Sequence, residues 1–315
     1  MLRTRKVMTA HKSPPANLPA ERNATDSLTG GQGWVSVQPA SLPAEIAGNR
    51  RNCINCMNFY LIPPTGHALG AANRAGFRFG AKGTHTSRTI MFEELVSVLA
   101  ATTGNGSRGD YASAIVEGNC LGKATASSRR LTNQRLGELY GLDPAIPLFR
   151  AFRGLWDLDL VSRPLLALEC AVARDPLLAA TAAPVLALVA GAEISRDAIR
   201  DALRDVVGDR LNDAILDKVV RNAASSWTQA GHLEGRTFKK RRLVHPTPAT
   251  VAFALYLAYS VGFRGLQLFS SGWMALIDCN PSLARDLAIE AKRRGLIDLR
   301  SAGDVVDLNL DRLSA

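Results

Sequence analysis

The sequence predicts a mainly α protein: a helical domain followed by two winged-helix-like units, each of three helices and a β-hairpin. Three observations lead there. Apolar residues make up 47% of the 315 residues and aromatics only 6%, and the apolar set is mostly Ala, Leu and Val, which suits packed helices more than a β-sandwich. Apolar positions recur at three- and four-residue spacing over much of residues 89–294. The order helix, helix, helix, hairpin then occurs twice, within residues 176–246 and again within 247–315.

Residues 1–88 read as a basic, largely irregular arm. Residues 1–49 are rich in Pro, Ala, Ser, Gly and Asn and have no sustained period. Residues 50–88 mix charge with apolar anchors such as Phe77 and Phe79, and their glycines argue against a long helix.

The helical domain covers 89–175. Its first helix, 89–101, turns Met91, Leu95, Val98 and Leu99 inward behind Thr86 or Ser87 as the cap. Further helices follow over 110–117, 125–140 (stopped by Gly141), 148–160 and 165–173. The first winged-helix-like unit begins with one apolar helix over 177–189. A second helix, capped by Ser195, places Ile199, Leu203 and Val206 inward and breaks at Gly208-Asp209.

Residues 212–245 follow, and they organise the functional reading. Ile215, Leu216, Val219, Val220, Ala223 and Trp227 form one apolar stripe, with Lys218, Arg221, Asn222 and Ser225 on the other side. Gly231 offers a left-handed helix end. A hairpin comes next whose second arm holds five basic residues in a seven-residue window: Arg236, Lys239, Lys240, Arg241 and Arg242. The second unit has helices over 248–262 and 266–277, and a third capped by Asn280 with Pro281 first, its Leu283, Leu287, Ile289 and Ala291 inward. Strands over 296–299 and 305–310 close it through a turn at Gly303-Asp304.

The net charge is +10 and the isoelectric point about 9.7, which favours an anionic partner, nucleic acid first. Residues 1–88 hold 11 Lys/Arg against 3 Asp/Glu, so the body is nearly balanced and any footprint there depends on local clustering. A helix with a polar face leading into a cationic hairpin fits double-stranded DNA: the helix reads the major groove and the hairpin tracks phosphates. Arg129 and Arg130, behind Ser127-Ser128 at a helix start, and Lys292, Arg293 and Arg294 at a helix end are further candidates. For the last three, complementing the helix dipole is an equal explanation.

Other classes find less support. Gly122-Lys123 lacks the rest of a phosphate loop, since Glu117 and Ala124 stand at its required Gly and Ser/Thr positions. Cys53 and Cys56 are a lone pair, with His67 and His85 reachable only through an irregular loop, so no metal is expected. No nucleophile elbow or paired-carboxylate pattern stands out, and no catalytic residue, cofactor or small-molecule substrate is expected. The odd, dispersed set of five cysteines fits a reducing cytoplasm. Two charge-free stretches, 176–192 and 245–263, are short for a bilayer, so no membrane partner is expected. Trp227, Trp273, Tyr256 and Tyr259 read as core.

Two stretches resemble the BrxA-type proteins of BREX bacteriophage-exclusion systems. One runs from Asn119 through Thr125, Ser128 and Arg130 to Leu136, similar to the family's Asn-Leu-Leu-x-x-x-Thr-x-x-Ser/Thr-x-Arg form. The other is 248–306, with Gly262-Phe263-Arg264-Gly265, Leu268-Phe269, Trp273 and Arg294-Gly295-Leu296. The resemblance implies a helical, winged-helix-containing protein that binds DNA without catalysis inside an antiviral defence complex, with other proteins of that complex as partners. The alternative from the same units is a structural adaptor that docks protein partners.

Overall fold

The computed structural model describes residue 61, residues 69–302 and residues 305–314. Cys53, Cys56, His67, the arm up to residue 60 and the Gly303-Asp304 turn lie outside the described residues.

Two helices form the centre. In α6 (Arg163–Arg174) residues 165–174 are all buried, and in α11 (Pro248–Ser260) residues 249–258 are. They pack on each other. Helix α11 carries no charged residue, and a helix apolar on every side has no solvent face to keep and belongs inside. Around them lie α1 (Leu69–Ala75), α2 (Phe92–Ala100), α3 (Arg108–Val116), α4 (Ala126–Tyr140) and α5 (Pro147–Trp156). The chain is mainly α, and one buried apolar cluster runs from Ala72 to Leu313 across all the segments distinguished in the sequence.

Local chemistry sets most boundaries. Ser107 and Asp110 form a reciprocal capping box on α3, and Thr125 caps α4 by accepting from Ser128 N. The start of α2 differs from expectation. Neither Thr86 nor Ser87 caps it; Thr84–Thr86 make a short 3-10 turn and Met91, at φ +53°, is the cap. Tertiary bonds override the local signal: Ile90 N donates to Ser226 Oγ (2.9 Å), and the Tyr140 hydroxyl donates to Ile90 O. Both bonds hold Ile90 outside the helix.

In the first unit, the expected single helix over 177–189 is two, α7 (Pro176–Ala180) and α8 (Ala182–Leu186). Pro184 removes the amide that would bond residue 180 and crowds its carbonyl. The Thr181 hydroxyl fills the break, donating to Leu178 O (2.7 Å) and accepting from Trp227 Nε1 (2.8 Å). Next come α9 (Arg196–Val207), capped by Ser195, and α10 (Asp213–Gln229), capped by Asn212. Val207 (6% exposed), not Val206 (40%), continues the inner face of α9, extending the four-residue spacing of Ile199 and Leu203.

The hairpin pairs β1 (Leu233–Glu234) with β2 (Lys240–Arg241), antiparallel. A third, strand-like piece joins it: Gly191 N donates to Arg241 O, Arg241 N to Ala192 O, and Ile194 N to Lys239 O. The order is helix, strand, helix, helix, strand, strand, as expected for a winged-helix-like unit.

The second unit has α11, α12 (Gly272–Leu276) and α13 (Pro281–Arg293) before the antiparallel pair β3 (Asp298–Ala302) and β4 (Val305–Asn309), and among the described residues that pair has no third strand-like piece. The expected helix over 266–277 is a 3-10 stretch, Gly265–Ser270, then α12, because Ser271 is extended and its hydroxyl bonds Leu268 O. Leu283 and Ile289 are exposed; the inner face of α13 is instead Ala284, Ala288 and Ala291, whose small side chains let it lie close against α11. The final helix, α14 (Asp311–Ser314), packs on α5.

Among the described residues, no helix is long and apolar enough to cross a membrane.

Two buried carboxyl groups behave oppositely. Asp175 accepts from His85 Nδ1 (2.8 Å), His85 N (3.1 Å), Leu177 N (3.0 Å) and Leu178 N (3.3 Å). Burial opposes its charge, but the His85 contacts and these bonds prevail and hold its pKa below the ordinary carboxylate value. Glu169 has no hydrogen-bond partner for either oxygen among the described residues, and burial pushes its pKa well above the usual range.

Asp175→Ala is expected to cost about 3–5 kcal/mol in urea unfolding, as for loss of one partner of a buried pair. In the wild type the Asp175 contribution is complete above the unfolded value of about 3.9 and is lost as pH falls through its lower folded pKa.

Glu169→Met is expected to raise stability at neutral pH by about 1–3 kcal/mol, since it removes an unsatisfied buried group. The gain grows as pH rises above the unfolded value of about 4.3, because only the unfolded chain then readily ionises this residue. Parallel melts of wild type and variant at pH 4 and 7 check the sign.

Candidate nucleic-acid interface

The candidate site is built on α10 and the wing. Along α10, Leu216, Val219, Val220, Ala223 and Trp227 are buried, so Lys218 and Arg221 are turned to solvent; Ile215, expected in the stripe, is 40% exposed and lies beside them. The acidic residues of α10 are taken up by α9. Arg200 pairs with Asp217 and holds its pKa down, and Arg204 pairs with Asp213. That leaves the Ile215, Lys218 and Arg221 face positively charged.

Asn222 and Ser225 are corrected as groove-facing residues. The Asn222 amide donates to His85 O (2.8 Å), and Ser225 Oγ lies against Gln229, whose side-chain oxygen accepts from Phe92 N. Residues 84–92 thus cross the C-terminal half of α10 and occupy its polar side.

The wing divides its basic residues. Arg236, Lys240 and Arg242 are exposed, and none forms an ion pair among the described residues. Lys239 is half-buried, donates to Thr228 Oγ1 (2.7 Å) and Gly235 O (3.3 Å), and has its pKa lowered by burial. Arg241 is a correction. Its side chain is 1% exposed and pairs with Asp278, inside the fold. Alternation along β2 sends Lys240 out and Arg241 in.

Asp278 also accepts from Val244 N (2.9 Å); burial raises its pKa against the opposing pull of Arg241. Beside it His232 is fully buried, its pKa lowered to about 3 by burial, so it is neutral and donates from Nε2 to Leu276 O (2.8 Å). Arg241 and His232 therefore fasten the first unit to the second.

The outlying candidates do not join this face. Arg130 is exposed and Arg129 half-buried at the start of α4. At the end of α13, Glu290 pairs with Arg294 (2.9 Å) and Arg293 (3.7 Å), and Lys292 stays unpaired among the described residues. Trp227, Trp273 and Tyr256 are buried, but Tyr259 is 37% exposed beneath Arg264, whose guanidinium lies 3.7 Å from the ring centre.

The sequence reading missed two groupings. Phe238, inside the basic run, is 67% exposed at the wing tip; its position between cations was the available signal. The other is His85, Asp175 and Ser226, with His85 Nε2 2.8 Å from Ser226 Oγ. The three have the order of a nucleophile relay, yet all are at most 1% exposed, and Ser226 already donates to Asn222 O and accepts from Ile90 N. No substrate reaches that hydroxyl, and its chemistry is structural. Their separation over 141 residues hid them from any local pattern.

Among the described residues no group of His, Cys, Asp and Glu has the makings of a metal site. No family model matches the chain, and no curated protein is significantly similar to it.

Arg241→Ala is expected to cost about 3–5 kcal/mol, leaving Asp278 buried and unpaired. Alanine at Arg236, Lys240 or Arg242 is expected to leave stability essentially unchanged. Thermal unfolding of the four variants separates the inward arginine from the outward cations.

Proposed function

We propose that the first winged-helix unit binds double-stranded DNA without catalysis, through the N-terminal half of α10 and the wing. One observation carries the reading. Lys218 and Arg221 on the helix, and Arg236, Lys240 and Arg242 on the wing, are all exposed and free of ion pairs among the described residues. A helix fits the major groove, and its first turns are the part that meets base edges. The covered C-terminal half of α10 is not needed for that. Wing cations hold phosphates and set register without reading sequence. The resemblance to BrxA-type proteins adds the setting: a DNA-binding component of a bacterial phage-defence complex, working in the cytoplasm beside partner proteins.

A second reading, a protein-docking adaptor, draws on the second unit. Its exposed helix and wing surfaces carry Leu283, Ile289 and Val305, the last 70% exposed. An apolar surface of that kind suits a protein more than phosphates.

Affinity for mixed-sequence duplex across a salt series tests the DNA reading. Neutralising Arg236, Lys240 and Arg242 together is expected to reduce the log–log salt slope by roughly 3. An unchanged slope would remove the wing from the interface. A pull-down that retains a protein partner while the chain binds no duplex would favour the adaptor.

A further inference from the structure

We propose that the recess between the wing tip and the start of α9 binds one unpaired nucleotide of the DNA held on the wing. The inference rests on the DNA reading above and adds a site and a ligand class to it. The recess measures about 600 Å³ and is open to solvent; Thr237 and Phe238 of the wing face Glu193, Ile194, Ser195 and Arg196 across it.

Its parts match the parts of a nucleotide. Phe238 supplies a bare aromatic surface, and an exposed ring among cations is the usual platform for an unstacked base. The Arg196 guanidinium forms no ion pair among the described residues and is suited to the phosphate. The exposed Glu193 carboxylate can accept from an exocyclic base amine. A paired base offers only its edge, so a ring of this kind has most to gain where a strand is unpaired.

The platform is held in place. Gly235 turns at φ +99°, where an added Cβ would lie 2.2 Å from Phe238 O, so the tight tip needs glycine. Lys239 ties the base of the tip to Thr228, and Ile194 N donates to Lys239 O, fixing the two walls to each other. Burial does not explain Phe238; a ring this exposed gains little from the core.

The test uses the full chain and two DNAs of one sequence, a blunt duplex and the same duplex with a short single-stranded overhang, of either polarity. Wild type is expected to prefer the overhang about tenfold, the scale of one base on one ring. Phe238→Ala is expected to abolish that preference while blunt-duplex affinity stays within about twofold, and Phe238→Trp to keep it. A 2-aminopurine in the overhang reports the contact directly: its fluorescence should fall on binding to wild type and not to Phe238→Ala. Equal wild-type affinity for the two DNAs overturns the nucleotide site alone. So does a Phe238→Ala chain that weakens on both equally. Binding to neither DNA overturns the DNA reading and this site with it.

Discussion

The carboxylate of Asp175 is the constraint on which the arrangement of the first unit depends. One side chain caps α7, through Leu177 N and Leu178 N, and holds the crossing segment through two bonds from His85. Both tasks draw on a charge taken out of water, which is tolerable because four N–H donors meet it. The fit is close: a Cβ on Gly83 would lie 2.0 Å from Asp175 Oδ1, so the chain passes there as glycine. From His85 the connection continues to Ser226 on α10, and Ile90 joins the same hydroxyl. Helix α10 is thereby fixed against α7 and against residues 84–90 at once. The exposure of Lys218 and Arg221, and the covering of Asn222, are two results of one placement.

What was legible in the sequence was local. Ser195 and Asn280 cap their helices as expected; Ser107, Thr125, Asn212 and Thr247 do the same at starts the sequence reading did not single out as caps. Gly231, at φ +89°, ends the α10 region as its place after the apolar stripe suggests. What was not legible depended on partners far along the chain. Met91 is a cap because of Tyr140 and Ser226. The break at Thr181 serves Trp227. Arg241 looks like its basic neighbours until Asp278 is found beside it. In each case a buried polar group had to be satisfied, and that requirement outweighed propensity. The alanine face of α13 failed for another reason: large apolar residues mark a core only where there is room, and contact with α11 leaves room for Ala284, Ala288 and Ala291.

Both units run helices into an antiparallel hairpin, but their surfaces differ. In the first, α9 arginines neutralise the acidic side chains of α10 and leave cations outward. In the second, Glu290 neutralises arginines of its own helix and the exposed remainder includes Leu283 and Ile289. The exposed side chains therefore differ: Lys218, Arg221 and hairpin cations in the first unit, Leu283 and Ile289 beside Lys292 in the second. The bonds from Arg241 and His232 to Asp278 and Leu276 join them without using any of the outward groups.

The division of the basic run follows from strand geometry and limits what the wing can do. Five cations over residues 236–242, all outward, would repel one another at close range. Pleating turns Arg241 inward, where Asp278 meets it, and Lys239 sideways onto Thr228. The three that remain are separated along the chain, so each can meet a different phosphate. On the proposed DNA reading, Lys218 and Arg221 would bring the footprint to five charges, which would release roughly four to five counterions. That is enough for register on a duplex and modest for affinity. On the proposed DNA reading, the excess of basic residues in 1–88 would supply general attraction, and α10 with the wing would set where it becomes a defined contact.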